Sequence, residues 1–203
     1  MFDEPLDQPP EHSDQSAQDW AWMARIKLGD ELAFQSLIEA HQQRVIGVVA
    51  KMLGNLTDAE DIAQQVFVRI WKSAHRYEPT AKFTTWMYKI TRNLVFNELR
   101  RRKRHPTQSI DVLNDFDQPM QVADEQAKGA DNLLLDAEVQ EAIQKAIDSL
   151  PETQRMAIIL RRYDEVPYEE IAEILDLSVP AVKSVLFRAR TELREQLKRY
   201  LDA

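Results

Sequence analysis

Residues 167–191 read PYEEIAEILDLSVPAVKSVLFRART, and this stretch decides the fold. Pro167 opens a short helix in which Ile171, Ala172, Ile174 and Leu175 fall on one side. Asp176-Leu177 makes a tight turn, and Ser178 is placed to cap a second helix carrying Pro180 in its first turn. In that helix Val182, Val185, Leu186, Ala189 and Leu193 point to a core, while Pro180, Ala181, Lys183, Ser184, Phe187, Arg188 and Thr191 point out. Two short helices with a tight connection, the second bearing small and basic outward residues near its start, make a helix-turn-helix able to enter a major groove. The competing reading is a plain helical hairpin with a charged face. Phe187, exposed between Lys183 and Arg188, counts against it.

Upstream of this motif, Val139, Ile143, Ala146, Ile147 and Leu150 form a helical stripe broken at Leu150-Pro151, where proline can begin the next helix. Met156, Ile159, Leu160 and Tyr163 carry that helix, which Asp164-Glu165-Val166-Pro167 ends. Residues 135–203 thus read as one small helical domain.

A second helical block spans residues 20–105. Leu32, Phe34, Leu37, Ile38, Val45, Val48, Val49, Met52 and Leu53 recur at helical spacing until Gly54-Asn55. Thr57-Asp58-Ala59-Glu60 reads as a capping box. The helix it opens has Ala59, Ile62, Ala63, Val66, Phe67, Ile70, Trp71 and Ala74 inward and Asp61, Gln64, Gln65, Val68 and Lys72 outward. On periodicity alone that outward face is better explained by solvation than by a partner. After the connection Tyr77 to Lys82, a further helix is expected to bury Trp86, Ile90 and Leu94 and to align Lys89, Asn93, Asn97, Arg100 and Arg104, ending in five consecutive bases, Arg100 to Arg104. Bases that neutralise phosphate beside aromatics that stack on unpaired bases suit a nucleic-acid strand. A core of Phe83, Trp86 and Tyr88 with a solvated basic tail fits the same residues.

Composition agrees with an all-α chain of two small helical domains. Of 203 residues only four are glycine, and few segments alternate strictly. With no cysteine, disulfides, thiol nucleophiles and zinc-cysteine sites are excluded, and a reducing cytosol is suited. No apolar run reaches the about 18 residues a membrane helix needs, and the acidic start MFDEPLDQPPEHSD lacks a signal peptide's pattern. A cytoplasmic protein is expected.

The formal charge of -8 is unevenly distributed. Residues 1–19 hold six acids and no base, and residues 106–141 nine acids and one base. Residues 20–105 hold 15 bases and eight acids, and residues 142–203 ten and eleven. With five of the nine prolines in them, the acidic segments read as a disordered tail over 1–19 and a flexible acidic linker over 106–134.

Taken together, Asp58-Ala59-Glu60-Asp61-Ile62-Ala63-Gln64-Gln65-Val66-Phe67-Val68-Arg69-Ile70-Trp71, then Phe83 to Asn93, then Leu150-Pro151 with Arg155, Tyr168 to Ala172 and Val182-Lys183-Ser184 resemble the extracytoplasmic-function sigma factors of bacterial RNA polymerase. The resemblance covers most of residues 20–203. It implies that Asp61, Gln64 and Gln65, with Val68 on the same face, dock on the clamp helices of the polymerase β′ subunit. The family more often has Glu at the place of Gln65. It implies that the loop Tyr77 to Lys82 holds a base flipped out of the melted -10 element, with Lys89, Asn93, Asn97 and Arg100 along the strand-reading face. Lys183, Ser184, Phe187 and Arg188 would meet the -35 element, with the β flap as a further polymerase contact. The acidic linker would run toward the RNA exit path, and its charge would discourage free DNA binding. An anti-sigma partner is implied, and no cofactor or metal.

Two other classes compete. A regulator that binds DNA alone explains the helix-turn-helix but not the paired blocks Asp58 to Trp71 and Phe83 to Asn93. A helical metal-dependent enzyme finds no support: His12, His41, His75 and His105 have no metal-ligand spacing, and no glycine-rich phosphate loop exists. The expectation is a non-enzymatic protein.

Overall fold

The computed structural model describes residues 13–78, 81–104 and 130–201. Within them lie eight α-helices, one 3-10 turn and no strand. They are α1 (Ser13–Ile26), α2 (Glu31–Leu53), α3 (Leu56–Ser73), α4 (Phe83–Arg104), α5 (Ala130–Ser149), α6 (Glu152–Tyr163), α7 (Tyr168–Leu175) and α8 (Val179–Leu201), with the turn at Ala74–Arg76.

Local chemistry sets the helix ends. Asp30 caps α2 by accepting the Ala33 amide at 3.0 Å, and Gly54 closes it at φ 69, a left-handed conformation that suits a residue without Cβ. Helix α3 starts earlier than the capping box suggests. Asn55, in an extended conformation, accepts the Asp58 amide at 3.1 Å, so it is Asn55 and not Thr57 that caps the helix. At the other end of the chain Ser178 accepts the Ala181 amide at 3.3 Å, and the Leu177 amide returns to the Ala172 carbonyl at 2.9 Å. The helix-turn-helix is therefore α7, a turn at Asp176, and α8. Ile171, Ile174, Leu186 and Ala189 have no exposed surface.

The extended acidic tail expected over 1–19 ends sooner. Helix α1 begins at Ser13, and Asp19, read as a solvated acid, is buried at 2% exposure. Its carboxylate meets His41 Nε2 at 2.8 Å and accepts Gln15 Nε2 at 2.9 Å, while Met23 and Ile26 on the same face enter the core. The linker expected over 106–134 has its far end inside α5, and residues 105–129 lie outside the described residues.

In α4 the buried face is Phe83, Thr85, Met87, Tyr88, Thr91, Leu94 and Val95, so Leu94 is inward as expected and Trp86 and Ile90 are only half-buried. Thr91 satisfies its buried hydroxyl on the Met87 carbonyl at 3.0 Å.

The two blocks pack on each other. One apolar cluster runs from Leu37, Val49 and Met87 to Met156, Leu160 and Ile171. Helix α4 lies along α7, and α2 lies along α6. Across the α2 and α6 seam, Arg155 Nη1 donates to the Met52 carbonyl at 2.9 Å, Arg44 pairs with Asp164 at 3.2 Å, and Lys51 sits 4.2 Å from the Tyr163 ring centroid. Burial pushes the Asp164 carboxyl up, against the pull of Arg44, and pushes Lys51 down. Tyr88, buried without a well-formed hydrogen bond, is held well above the usual tyrosine value, first by desolvation and then by the Asp164 charge. A seam of half-buried charges gains little net energy from its ion pairs, so apolar contact carries most of the association.

Candidate nucleic-acid interface

Three outward surfaces carry the residues singled out from the sequence. On α3, the inward stripe Ala59, Ile62, Ala63, Val66, Phe67 and Ile70 fixes the rotation of the helix, which leaves Asp61, Gln64, Gln65 and Val68 exposed. These four line one shallow groove with Arg69 and Lys72. Val68 is 50% exposed, an apolar centre in a polar rim.

On α8, Lys183, Ser184, Phe187 and Arg188 are all exposed. Ser184 Oγ donates to the Pro180 carbonyl at 3.1 Å, and Arg188 Nε to the Ser184 carbonyl at 3.3 Å. Phe187 is 70% exposed, a large ring in water with no packing role inside the chain.

The third surface is the outer side of α4 with the connection before it. Its members are not all free. Lys82 Nζ pairs with Glu170 at 2.6 Å and Lys89 with Glu173 at 3.6 Å, both acids belonging to α7. Asn93 is exposed and accepts Arg92 Nη2 at 2.8 Å, and Asn97 accepts Arg100 Nη2 at 2.8 Å. The Tyr77 ring is 4% exposed, tilted against Trp86 at 5.0 Å and edge-on to Phe83 at 6.2 Å, with Phe83 in turn 5.1 Å from His41. Tyr77 is therefore part of the bed beneath the connection in this conformation.

The run Arg100 to Arg104 is not one uniform cationic end. Arg102 turns inward to Asp58, Glu98 and the Leu53 carbonyl, Arg101 pairs with Glu98 at 2.8 Å, and Lys103 with Glu152 at 2.8 Å. Those guanidinium groups hold the Glu98 carboxyl below its usual value.

Arg69 and Arg76, to which the sequence alone gave no role, join Lys72 in a cationic cleft. Arg69, Lys72, Ser73, His75 and Arg76 face Ile90 and Asn93 across the junction of α3 and α4. Arg69, Lys72 and Arg76 recur at steps of three and four and have no ion pair among the described residues. That periodicity was present in the sequence, interleaved with the inward stripe. The cleft offers unneutralised charge beside an amide side chain, which suits a phosphodiester strand. Among the described residues no group of three metal-ligating side chains occurs, and no helix is long and apolar enough to cross a membrane.

An all-helical chain with an outward helix-turn-helix and a cationic cleft between two further helices defines a nucleic-acid-binding protein of the transcription class. Two family models match the chain: Sigma-70 region 2 over residues 37–105 and Sigma-70, region 4 over residues 140–193. The chain is 32% identical over 177 residues to the ECF RNA polymerase sigma factor SigW of Bacillus subtilis (strain 168), covering 86% of this chain and 94% of that one. It is 31% identical over 181 residues to the ECF RNA polymerase sigma-E factor of Escherichia coli (strain K12), covering 89% and 94%. In fold it is similar to CnrH, solved in complex with the cytosolic domain of CnrY, at a TM-score of 0.65 and 22% identity over 90% of this chain and 98% of that one. It is likewise similar to the sigma factor RpoE of Bartonella quintana, solved with the anti-sigma factor NepR, at 0.61 and 23% over 81% and 96%. The chain belongs to the extracytoplasmic-function sigma factors of the sigma-70 family, which are transcription initiation factors.

Proposed function

We propose that the chain acts as a promoter-specificity subunit of RNA polymerase, without enzymatic activity of its own and in the cytoplasm, through three assigned surfaces. Asp61, Gln64, Gln65 and Val68 dock on the β′ clamp helices. Lys82, Lys89, Asn93, Asn97 and Arg100 read the melted -10 strand, with Tyr77 supporting the connection. Lys183, Ser184, Phe187 and Arg188 meet the -35 element in the major groove. The Arg69, Lys72 and Arg76 cleft joins the second set as the path of the strand's phosphates.

The observation that carries the reading is Phe187. A ring 70% exposed between two cations, on the second helix of a helix-turn-helix, is costly surface unless a partner covers it. Its rim of Lys183 and Arg188 fits a phosphate-lined groove. The chain is also proposed to be held inactive by an anti-sigma factor, as supported by the relative solved with NepR.

The test is transcription by core polymerase with and without the chain on a library of genomic fragments. Defined start sites that depend on the chain, and their loss in Phe187→Ala, are the expected result. Start sites identical to those of core polymerase alone would refute the reading.

A further inference from the structure

One edge of α1 lies against the connection that enters α4. Asp19, Met23 and Ile26 are the buried side of the helix, and Trp20 and Lys27, two turns apart and so in one line, flank it. Both reach Tyr77. Lys27 Nζ stands 5.8 Å from the centroid of the Tyr77 ring. Burial raises the pKa of the Tyr77 hydroxyl, and the Trp20 indole beside it pulls the other way. That hydroxyl is buried without a well-formed hydrogen bond. Behind it the rings continue inward, Tyr77 against Trp86 at 5.0 Å and Phe83 against His41 at 5.1 Å. Asp19, the residue before Trp20, is held on His41 at 2.8 Å, which fixes the rotation of α1 at this point.

Trp20 is the open end of this aromatic row. It is 43% exposed, whereas Tyr77 and Phe83 are buried and Trp86 is half-buried. A cover for Tyr77 needs only apolar area, which an aliphatic side chain supplies. An indole left largely in water beside an exposed ammonium offers more: a flat ring for a base and a cation for its phosphate. Lys27 has no ion pair among the described residues. The site adjoins Trp86 and the connection, so it continues the surface proposed to read the melted strand. The Sigma-70 region 2 match begins at residue 37, and α1 falls outside it.

We infer that Trp20 stacks on an unpaired base of the melted strand, beside the nucleotides held at the connection, with Lys27 on the adjoining phosphate. Helix α1 is thus a wall of the strand-reading site, and Asp19 acts through His41 as a positioning residue for Trp20. Stacking accepts any base, because every base has a flat face. Trp20 therefore adds affinity for unpaired over paired DNA with little preference for sequence, and it contributes to holding the promoter open. The inference rests on α4 and its connection being the strand-reading side.

The experiment uses the full chain on core polymerase and a fork DNA taken from a promoter the chain activates, paired upstream and with the non-template strand unpaired from the -10 element onward. Each unpaired nucleotide is replaced in turn by an abasic one. Loss of the stacked base is expected to weaken binding about tenfold at one position. Trp20→Leu should weaken the intact fork by the same factor, and the two losses should not add. Trp20→Phe, which keeps a stacking ring, should restore most of the binding. A duplex holding only the -35 element should bind the parent and Trp20→Leu alike. Lys27→Gln, which leaves the packing untouched, should lower the salt slope on the fork by about one unit. An unchanged slope overturns the inference, as does Trp20→Leu binding like the parent. So does a loss in Trp20→Leu that adds to every abasic position, since that is the mark of a merely structural cover. Asn93→Ala on the same fork separates the two failures. If it loses binding while Trp20→Leu does not, α4 reads the strand and the part given to Trp20 is wrong. If neither loses binding, the assignment of α4 is wrong, and the inference falls with it.

Discussion

Asp19 of α1 and His41 of α2 meet at 2.8 Å with both side chains only 2% exposed, and His41 is also the ring on which Phe83 packs, 5.1 Å away. One buried polar contact thus ties the first helix to the aromatic bed under the connection Tyr77 to Lys82. His41 Nδ1 has no partner, so Nε2 carries the whole hydrogen bonding of the ring. Asp19→Ala would leave a buried imidazole with neither nitrogen satisfied, at a cost of about 1–3 kcal/mol. Urea denaturation should show this as a lower midpoint, and His41→Leu combined with Asp19→Ala should recover part of it.

Acid should act on Asp164 in the opposite sense to most carboxylates. Burial raises its folded pKa above 3.8 despite Arg44, so its contribution is unfavourable at neutral pH. The penalty disappears as pH falls through the folded value toward 3.8, where the protonated form is the one preferred by the fold. Asp164→Asn mimics that form. The stability of the parent relative to Asp164→Asn should therefore rise between pH 7 and pH 4. Paired denaturant titrations at the two pH values check the sign. Asp30, held below 3.8 by the Ala33 amide and Arg25, is common to both proteins and cancels in the difference.

Asp61→Lys should abolish co-purification with core polymerase and leave the helical fold intact. The residue is exposed, and the inward stripe of α3 does not include it. Far-UV circular dichroism and a pull-down on the same preparation provide the two readouts. Normal assembly would place the docking face elsewhere.

Arg188→Ala should cost about 1–3 kcal/mol at a preferred promoter if the guanidinium reads a base edge. If it contacts phosphate, binding falls alike on all sequences and the salt slope drops by about one unit. Holoenzyme binding to a promoter and to a scrambled duplex across a salt series distinguishes the two.

Leu160→Ala, in the part of the core shared by both blocks and fully buried, should destabilise by about 2–5 kcal/mol. Because the blocks share that cluster, thermal unfolding should shift as one transition and not split.

The helix-turn-helix was readable because its signals are local: Ser178 caps within three residues, and the inward set Ile171, Ile174, Val182 and Leu186 follows helical spacing. The outward face of α3 was readable for the same reason. Helix α1 was hidden by composition, since Asp19 among six acids looks solvated and its partner His41 lies 22 residues on. The capping of α3 was displaced because Asn55 and Thr57 both have side chains able to cap, and only the backbone of Asn55 is extended there. The pairing of Lys82 with Glu170 spans 88 residues, and no periodicity encodes a contact between two helices at that separation. For that reason cations that looked available on α4 are neutralised, while the cleft at Arg69, Lys72 and Arg76 keeps its charge.

Asp176 sits at φ 54, where a side chain with Cβ is strained by roughly 1–2 kcal/mol. Glycine would relax the turn, and any search for sturdier variants of the helix-turn-helix would favour it. The same replacement deletes the carboxylate that holds Arg92. At this position the turn and the seam between α7 and α4 pull against each other: the change that relaxes the first releases Arg92 from the second.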